Sequence, residues 1–267
     1  MKKTTSLAKV LDNEQTKIEE YEELLVKRDQ LFKEAGSIMT SYTKEFGDMI
    51  TANFELKVEC IKKKKTISYC RRRLNRGLAV DANRMQAEID EEMKLYYVQL
   101  KEMICDNESA KKCEQVGEFR YNRAKKIYRR LAKQIHPDIN KKTNENETLK
   151  ELWTRIVTAY NRSDVEELDD LEALVRLALN DLGEDGIELD YEDIDERIER
   201  VERQINDILN TEPYTFLELL TDEEKKNDYR TRLEEEHRDY EQYLEVLTRT
   251  LEEMLREGGV KMVWKMD

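Results

Sequence analysis

The chain has 267 residues, of which 40% are charged and 7% are aromatic, and its formal net charge is −13. Because only eight glycines and two prolines interrupt it, we expect an all-α protein in which long helices share thin apolar seams. The acidic balance argues against nucleic acid as a general partner. No stretch approaches the ~18 apolar residues of a membrane span, and the first residues lack the apolar run of a signal peptide. We therefore expect a cytoplasmic protein without membrane contact.

The sequence lacks the motifs of common enzyme sites. It contains no Gly-rich phosphate-binding loop and no nucleophile-elbow motif, and it has only two histidines. Its four cysteines have no CxxC spacing that would predict a zinc site or a disulfide framework. We therefore predict that the protein is not an enzyme and that it binds neither a metal nor another cofactor.

Residues 1–112 are predicted to form an N-terminal helical hairpin. One helix is expected at about 13–34 and a longer one at about 38–76, with a break or kink at Gly36 and a C-cap at Gly77. Asp81 can cap the next helix. Apolar residues recur along that helix by threes and fours, which favours packing back on the preceding helix. They are Met85, Ile89, Met93, Tyr96, Leu100 and Met103.

A basic run inside this hairpin, Lys62 to Arg76, contains eight cations and no acids. Such a run occurs in patches that bind nucleic acid or acidic partners. It also occurs on a solvated face whose cations suit the negative end of a helix, and we favour this second interpretation. A third interpretation is pairing with the acidic residues 164–200, which include sixteen acids and three bases.

Residues 113–182 contain the most informative stretch, which follows a predicted connector at 106–120. From Arg123 to Lys133 there are six basic and no acidic residues, while apolar residues line another face of the same predicted helix. Because Pro137 cannot continue a helix, the helix should end near Ile135 and leave His136 on an exposed turn. A polar loop at 139–146 and a second amphipathic helix follow. The two helices should pack antiparallel, with His136-Pro137-Asp138 at the exposed end of the pair.

This stretch resembles the J domain of DnaJ-type co-chaperones. The second helix of that family commonly reads tyrosine, two basic residues, Leu-Ala, three variable residues and His-Pro-Asp, as residues 128–138 do here. The third helix carries an aromatic residue, an aliphatic residue three positions later and then Ala-Tyr, which matches Trp153, Ile156 and Ala159-Tyr160. The resemblance covers residues 123–160 of 267.

The resemblance implies a role for each part of the stretch. His136, Pro137 and Asp138 would trigger ATP hydrolysis in a DnaK-type heat-shock chaperone. A basic face of Lys126, Arg129, Arg130 and Lys133 would dock on that chaperone. The core of the J-like pair would consist of Tyr128, Leu131, Ile135, Trp153, Ile156 and Tyr160.

Three features depart from the family pattern. Ile139 stands where a Lys or Arg usually follows the Asp, and the acidic residues 164–170 replace a basic fourth helix. No short first helix of the usual form lies upstream, so the helix that ends near Met103 is our candidate for that element. The same residues also have a purely structural interpretation, in which the basic face is only solvated, Pro137 stops a helix and Asp138 closes a turn.

Residues 183–267 are predicted to form a second helical hairpin. A break at 180–186 precedes a helix that Asp190 can cap, and Pro213 ends it. Thr221 and Glu224 have the spacing of a capping box for the last helix. We expect the two seams to pack antiparallel, with His237 as a polar residue that fixes their register. The seams are Tyr191, Ile194, Ile198, Val201, Ile205 and Ile208, and Leu233, His237, Tyr240, Leu244, Leu247, Leu251 and Met254. The apolar tail after Gly258-Gly259 is expected to dock on another surface.

Together these patterns predict an elongated all-α protein of three parts, 1–112, 113–182 and 183–267. We expect a J-domain co-chaperone that docks on a DnaK-type chaperone and stimulates its ATP hydrolysis. Its coiled-coil arms would select a client or partner and could join copies into a homo-oligomer. The alternative is a coiled-coil scaffold or adaptor that retains a J-like fold without using it to activate a chaperone.

Overall fold

The computed structural model describes residues 2–113, 117–182 and 194–257, with side chains for 16–113, 117–180, 182 and 194–256. Within these ranges the chain forms nine helices and no β-strand, which confirms the all-α prediction. None of the described helices is long and apolar enough to span a membrane. The helices are α1 (Lys2–Leu74), α2 (Ala82–Lys112), α3 (Glu118–Ile135), α4 (Lys141–Glu145), α5 (Glu147–Arg162), α6 (Val165–Asp181), α7 (Ile194–Asn210), α8 (Phe216–Thr221) and α9 (Glu223–Glu257).

The first helix is a single element, so of the break or kink predicted at Gly36 the break is wrong. One glycine inside a helix costs only about 1 kcal/mol relative to alanine, which a long packed helix tolerates. Gly47 has a packing role, because a Cβ atom there would lie 2.5 Å from Oδ1 of Asn107 on α2. The predicted connector at 106–120 is also wrong in part, because α2 continues to Lys112.

The chain divides into two compact units, and neither matches one of the three predicted parts. Unit 1 comprises Met1–Ile38 and Glu114–Thr215, and unit 2 comprises Met39–Cys113 and Phe216–Asp267. Residues of α1 therefore contribute to both units.

In unit 2, α2 folds back antiparallel on the second part of α1, as predicted. Arg72 pairs with Glu88 at 2.7 Å, and Lys65 pairs with Glu92. The shared core is apolar and includes Val58, Tyr69, Cys70, Val80, Met85, Ile89 and Met93. Lys65 and Arg72, two cations of the basic run, therefore form ion pairs that link the two helices of this hairpin.

The last helix, α9, also packs in unit 2, where Leu247 joins a cluster with Cys60 and Ile67 of α1. Its first turn is capped by Asp222, whose Oδ1 accepts from the backbone N–H of Glu224 at 3.0 Å. The predicted capping box from Thr221 is therefore wrong, since its hydroxyl donates to the carbonyl of Leu217. His237 is bonded through Nδ1 to Oδ1 of the buried Asn53 at 2.8 Å.

In unit 1, α3, α5 and α6 enclose the main core, which Val26 of α1 also joins. The acids of α6 pair with cations of α3 and α5, as in the 2.6 Å contact between Arg123 and Asp169. These pairs contradict the suggestion that the acidic residues after Asp164 neutralise the basic run at 62–76, as far as the described acids of α6 are concerned. The pairs are Arg120–Glu166, Arg123–Asp169, Arg130–Glu172 and Arg155–Glu167.

The seam of α7 has a different partner from the one predicted. Ile198, Val201 and Ile205 form a buried cluster with residues of α1, including Leu25, and with Ile139. The predicted antiparallel packing of 190–210 on 222–257 is therefore wrong, because α7 and α9 bury their seams in separate units. A heptad seam specifies that a helix needs an apolar partner, but does not identify the partner. The predicted cap at Asp190 and the apolar tail lie outside the described residues.

Candidate protein-docking site

The J-like pair consists of α3 and α5, joined at the His136-Pro137-Asp138 turn. The loop predicted at 139–146 contains the short helix α4, and Asn146 caps α5 by accepting from the N–H of Leu149 at 3.1 Å. The rings of Tyr128 and Tyr160 stack with centroids 4.0 Å apart. The six residues predicted to form the core lie together; Trp153 is partly buried and the other five, Tyr128, Leu131, Ile135, Ile156 and Tyr160, are buried.

The turn itself is held by local hydrogen bonds. The carbonyl of His136 accepts from the N–H groups of Ile139 and Asn140 at 2.9 and 2.7 Å. The carbonyl of Pro137 accepts from the side-chain amide of Asn144 at 2.9 Å. The triplet is therefore part of a well-bonded turn.

His136 is not exposed, which contradicts our expectation from the sequence. Only 3% of the residue is accessible, and its ring meets Trp153 edge-on at a centroid distance of 4.7 Å. Its Nδ1 accepts from the backbone N–H of Asp138 at 3.0 Å. Because that N–H can only donate, the ring proton lies on Nε2, which faces Oδ2 of Asp29 at 3.4 Å.

Asp29, on α1, is the centre of the polar network around the turn. Its Oδ2 also accepts from the hydroxyl of Tyr128 at 2.7 Å. Burial alone would raise the pKa of this carboxyl group. The hydrogen bonds from His136 and Tyr128 and the charge of Arg28 outweigh burial, so the pKa of Asp29 lies below its ordinary value.

Arg28 connects this network to Asp138. Its guanidinium bonds Asp29 at 2.8 Å and reaches Oδ2 of Asp138 at 3.5 Å. The side chain of Asp138 remains 48% exposed, so it is the most accessible charged group of the turn.

A cavity of about 270 Å³ opens beside the turn. The described residues that line it include no Ser, Cys or Thr, so the His136–Asp29 pair has no aliphatic hydroxyl or thiol group beside it there. The described residues also contain no cluster of His, Cys, Asp and Glu able to hold a metal ion. The lining consists of Arg28, Asp29, Phe32, Tyr128, His136, Pro137, Asp138, Trp153, Val157, Tyr160 and Asn161.

The four cations predicted to dock a partner lie on α3, but three of them already pair with acids. Arg129 contacts Glu23 at 2.5 Å and Lys133 contacts Glu22 at 3.2 Å, both on α1. Arg130 makes a bidentate pair with Glu172 of α6 at 2.8 Å. Lys126 is exposed and has no ion pair within the described part of the chain.

The part of α1 that covers this face was not predicted from the sequence. Contacts of Glu34 with Tyr121, Asp29 with Tyr128 and Glu22 with Lys133 show that α1 runs antiparallel along α3. This segment replaces the helix ending near Met103 as the element that packs beside the J-like pair. A weak signal was available, since the contacting residues Glu22, Val26, Asp29 and Lys33 recur by four, three and four.

Lys33 ends this stripe and binds the far end of α5. Its Nζ donates to the carbonyl of Tyr160 at 2.6 Å and to Ser163 at 2.7 Å, and it lies 4.0 Å from the centroid of the Tyr160 ring. Ser163 has a left-handed backbone, with φ of 52°, as is common just after a helix. Burial lowers the pKa of Lys33 to about 8.

Ile139 has a structural explanation. It is 3% exposed and lies in the apolar cluster formed with Leu25 of α1 and Val201 of α7. A cation at this position would lose its water on entering that apolar cluster. The residue that departs from the family pattern therefore helps to hold α1 and α7 beside the turn.

Comparisons of the chain with protein-family models, with curated proteins and with solved structures found no match.

Proposed function

We propose that this protein is a J-domain-type co-chaperone that docks on a DnaK-type heat-shock chaperone and stimulates its ATP hydrolysis. The observation that carries the proposal is the position of His136-Pro137-Asp138 at the turn between α3 and α5, with Arg129 and Lys133 on the α3 surface that leads to it. The family resemblance assigns docking to this kind of helix and triggering to this kind of turn.

The proposed mechanism has two steps. Exposed cations on α3 would attract a negative surface of the chaperone ATPase, which increases the association rate and orients the complex. The turn would then engage the ATPase and favour its hydrolysis-competent state. Because His136 is buried and Asp138 is half-exposed, Asp138 would meet the partner first while His136 holds the turn in shape.

The rest of the chain would direct this activity. We propose that unit 2, built from the second part of α1 with α2 and α9, selects the client or another partner. The proposal places the protein in the cytoplasm, together with its chaperone.

A second candidate is a scaffold or adaptor whose J-like fold is not used for chaperone activation. The pairing of three of the four predicted docking cations within the chain favours it, as does the burial of His136. In this alternative the polar network around Asp29 serves only to join helices.

Single-turnover ATP hydrolysis by a DnaK-type chaperone separates the two candidates. The wild-type chain is added, and in parallel a Glu22→Lys/Glu23→Lys chain whose basic face lacks these two carboxylates. The co-chaperone proposal expects faster hydrolysis that Asp138→Asn abolishes. It also expects that Arg129→Glu weakens docking in a salt-dependent way, because salt screens exposed charges. Hydrolysis that neither chain accelerates would rule out the co-chaperone and favour the scaffold.

If His136 lay on an exposed turn, as the sequence predicts, His136→Gln would leave the stability of the protein unchanged. The burial of His136 makes this expectation wrong, because a buried side chain with two polar partners cannot be replaced without cost. His136→Gln therefore tests triggering only if its folding is measured beside its activity. Asp138→Asn, at a half-exposed position, is the better trigger variant.

A further inference from the structure

Residues 21–33 of α1, here called the clamp, cover the face that the proposed function assigns to a partner. We propose that the clamp is an internal occupant of this face, and that an acidic partner surface binds there only after the clamp has left. The identity of the partner as a chaperone ATPase rests on the proposed function, whereas the contacts between the clamp and the face do not depend on it.

The clamp presents the chemistry that a partner would have to present. Its carboxylates already contact Arg129 at 2.5 Å, Lys133 at 3.2 Å and the Nε2 of His136 at 3.4 Å. A carboxylate from another molecule would need the same positions beside the same three groups. Occupation by the clamp and by an acidic partner is therefore mutually exclusive.

Release of the clamp would leave most of the main cluster under α3 and α5 in place. It contributes one buried side chain, Val26, to the main cluster of described residues under α3 and α5. The acids of α6 also pair with α3, but Leu168, Leu171 and Val175 of the same helix are fully buried in that cluster. Displacing α6 would open this cluster, whereas displacing the clamp would withdraw only Val26 from it, although it would also separate Tyr21, Leu25 and Leu31 from Ile139 and α7.

Apolar contacts hold the clamp in place, whereas its ion pairs can be replaced by those of an acidic partner. Leu25 of the clamp lies with Ile139 and with Val201 and Ile205 of α7, and burial of such side chains is the main stabilising term. The ion pair between Arg129 and Glu23 is half-exposed on both sides, so it contributes little. The α7 cluster thus sets the resting position, while the ion pairs are the contacts that a partner can exchange.

The reactivity of His136 measures the clamp independently of any chaperone. Diethyl pyrocarbonate modifies accessible imidazoles, and the chain has two histidines. The side chain of His136 is 4% exposed and that of His237 is 30% exposed, so His237 serves as an internal reference. Glu22→Lys/Glu23→Lys should raise the rate of His136 modification about tenfold, because two attractions become repulsions and local opening becomes more frequent.

Matched controls keep this experiment specific. Glu19→Lys/Glu20→Lys makes the same charge change on the same helix, at positions without an ion pair in the described part of the chain, and should leave the rate unchanged. Val201→Ala should raise the rate without any charge change, whereas Val246→Ala, at an exposed position of α9, should not. The clamp proposal would be wrong if His136 were modified at equal rates in the Glu22/Glu23 and Glu19/Glu20 variants while helix content and His237 reactivity stayed unchanged.

Chaperone stimulation then separates the clamp from the proposed function. We expect Glu22→Lys/Glu23→Lys to stimulate single-turnover ATP hydrolysis at least severalfold more than either the wild-type chain or the Glu19/Glu20 control. If His136 becomes reactive but neither chain stimulates, the clamp stands and the co-chaperone function fails. If the wild-type chain stimulates as strongly as the Glu22/Glu23 variant, the function stands and the clamp fails.

Discussion

The carboxylate of Asp29 should stabilise unit 1 substantially, and Asp29→Asn tests this. The substitution keeps the shape of the side chain but removes the charge that faces Arg28, His136 and Tyr128. Hydrogen bonds to a charged group contribute about 1.5–3 kcal/mol, and removal of one partner of a fully buried pair costs about 3–5 kcal/mol. Because the Asp29 side chain is still 16% exposed, we expect a loss of about 2–3 kcal/mol in the free energy of unfolding at neutral pH.

Urea unfolding followed by the fluorescence of Trp153 measures this loss within unit 1. A Trp264→Phe background leaves Trp153 as the single tryptophan, since the chain has two. Trp153 lies against Tyr128 and His136, with centroids 5.7 and 4.7 Å away. It therefore reports on the network itself, and a probe confined to one unit avoids treating both units as a single two-state transition.

The matched control is Asp195→Asn, which removes an exposed carboxylate from its 2.6 Å pair with Lys17. Exposed ion pairs contribute at most about 1 kcal/mol, so this variant should remain close to the wild type. A Tyr128→Phe partner completes a double-mutant cycle with Asp29→Asn, for which we expect a coupling energy of about 1 kcal/mol. An Asp29→Asn loss no larger than that of Asp195→Asn would refute the reasoning.

The pH dependence gives the same experiment a second readout. The pKa of Asp29 is lowered in the folded state, whereas an unfolded Asp titrates at about 3.9. The stability that Asp29 contributes is therefore complete above about pH 4 and is lost as the pH falls through its lower folded-state pKa. The difference between wild type and Asp29→Asn should narrow in that acidic range and stay constant above it.

Two further predictions concern packing. Gly47→Ala should destabilise unit 2 by about 1 kcal/mol, because the added Cβ would displace the side chain of Asn107. Gly36→Ala, whose Cβ would meet nothing within 4 Å, should instead stabilise the helix by about 0.5–1 kcal/mol. Equal effects of the two substitutions in thermal unfolding would contradict this contrast. Ile198→Asp/Ile205→Asp should cost several kcal/mol and speed hydrogen exchange in residues 21–31 and 194–210, because both side chains face Leu25 and Ile139. Exchange in α2 should not change, and faster exchange in α9 instead of α1 would restore the packing expected from the sequence.

Local features of the J-like pair were predictable because short-range rules determine them. Pro137 ends α3 at Ile135, and the spacing of Leu131, Ile156 and Tyr160 identifies the faces that meet. The same rules identified the hairpin of α1 and α2, whose connection is short. In each case the interacting residues are close in sequence or linked by a turn with few alternatives.

The arrangement around the turn was not predictable in the same way. Asp29 lies 99 residues before Tyr128 and 107 before His136, and no local rule joins such distant segments. An acidic stripe on a long helix is usually solvent-exposed, so the pattern of Glu22 and Asp29 carried little weight by itself. The burial of His136 follows from this tertiary contact and therefore could not be inferred from the polar character of the turn.

The four predicted docking cations differ in the ion pairs that they form within the chain. Arg130 is held by Glu172, on a helix whose apolar face is locked in the core, so its pairing should persist when a partner binds. Within the described part of the chain, Arg129 and Lys133 form ion pairs with the clamp alone, and Lys126 is exposed. The surface that becomes available on clamp release is therefore a stripe of Lys126, Arg129 and Lys133, spaced by three and four along α3 and ending at the turn. Arg129→Glu should therefore weaken salt-dependent docking more than Arg130→Glu does, because only the charge of Arg129 is exchanged between the clamp and a partner.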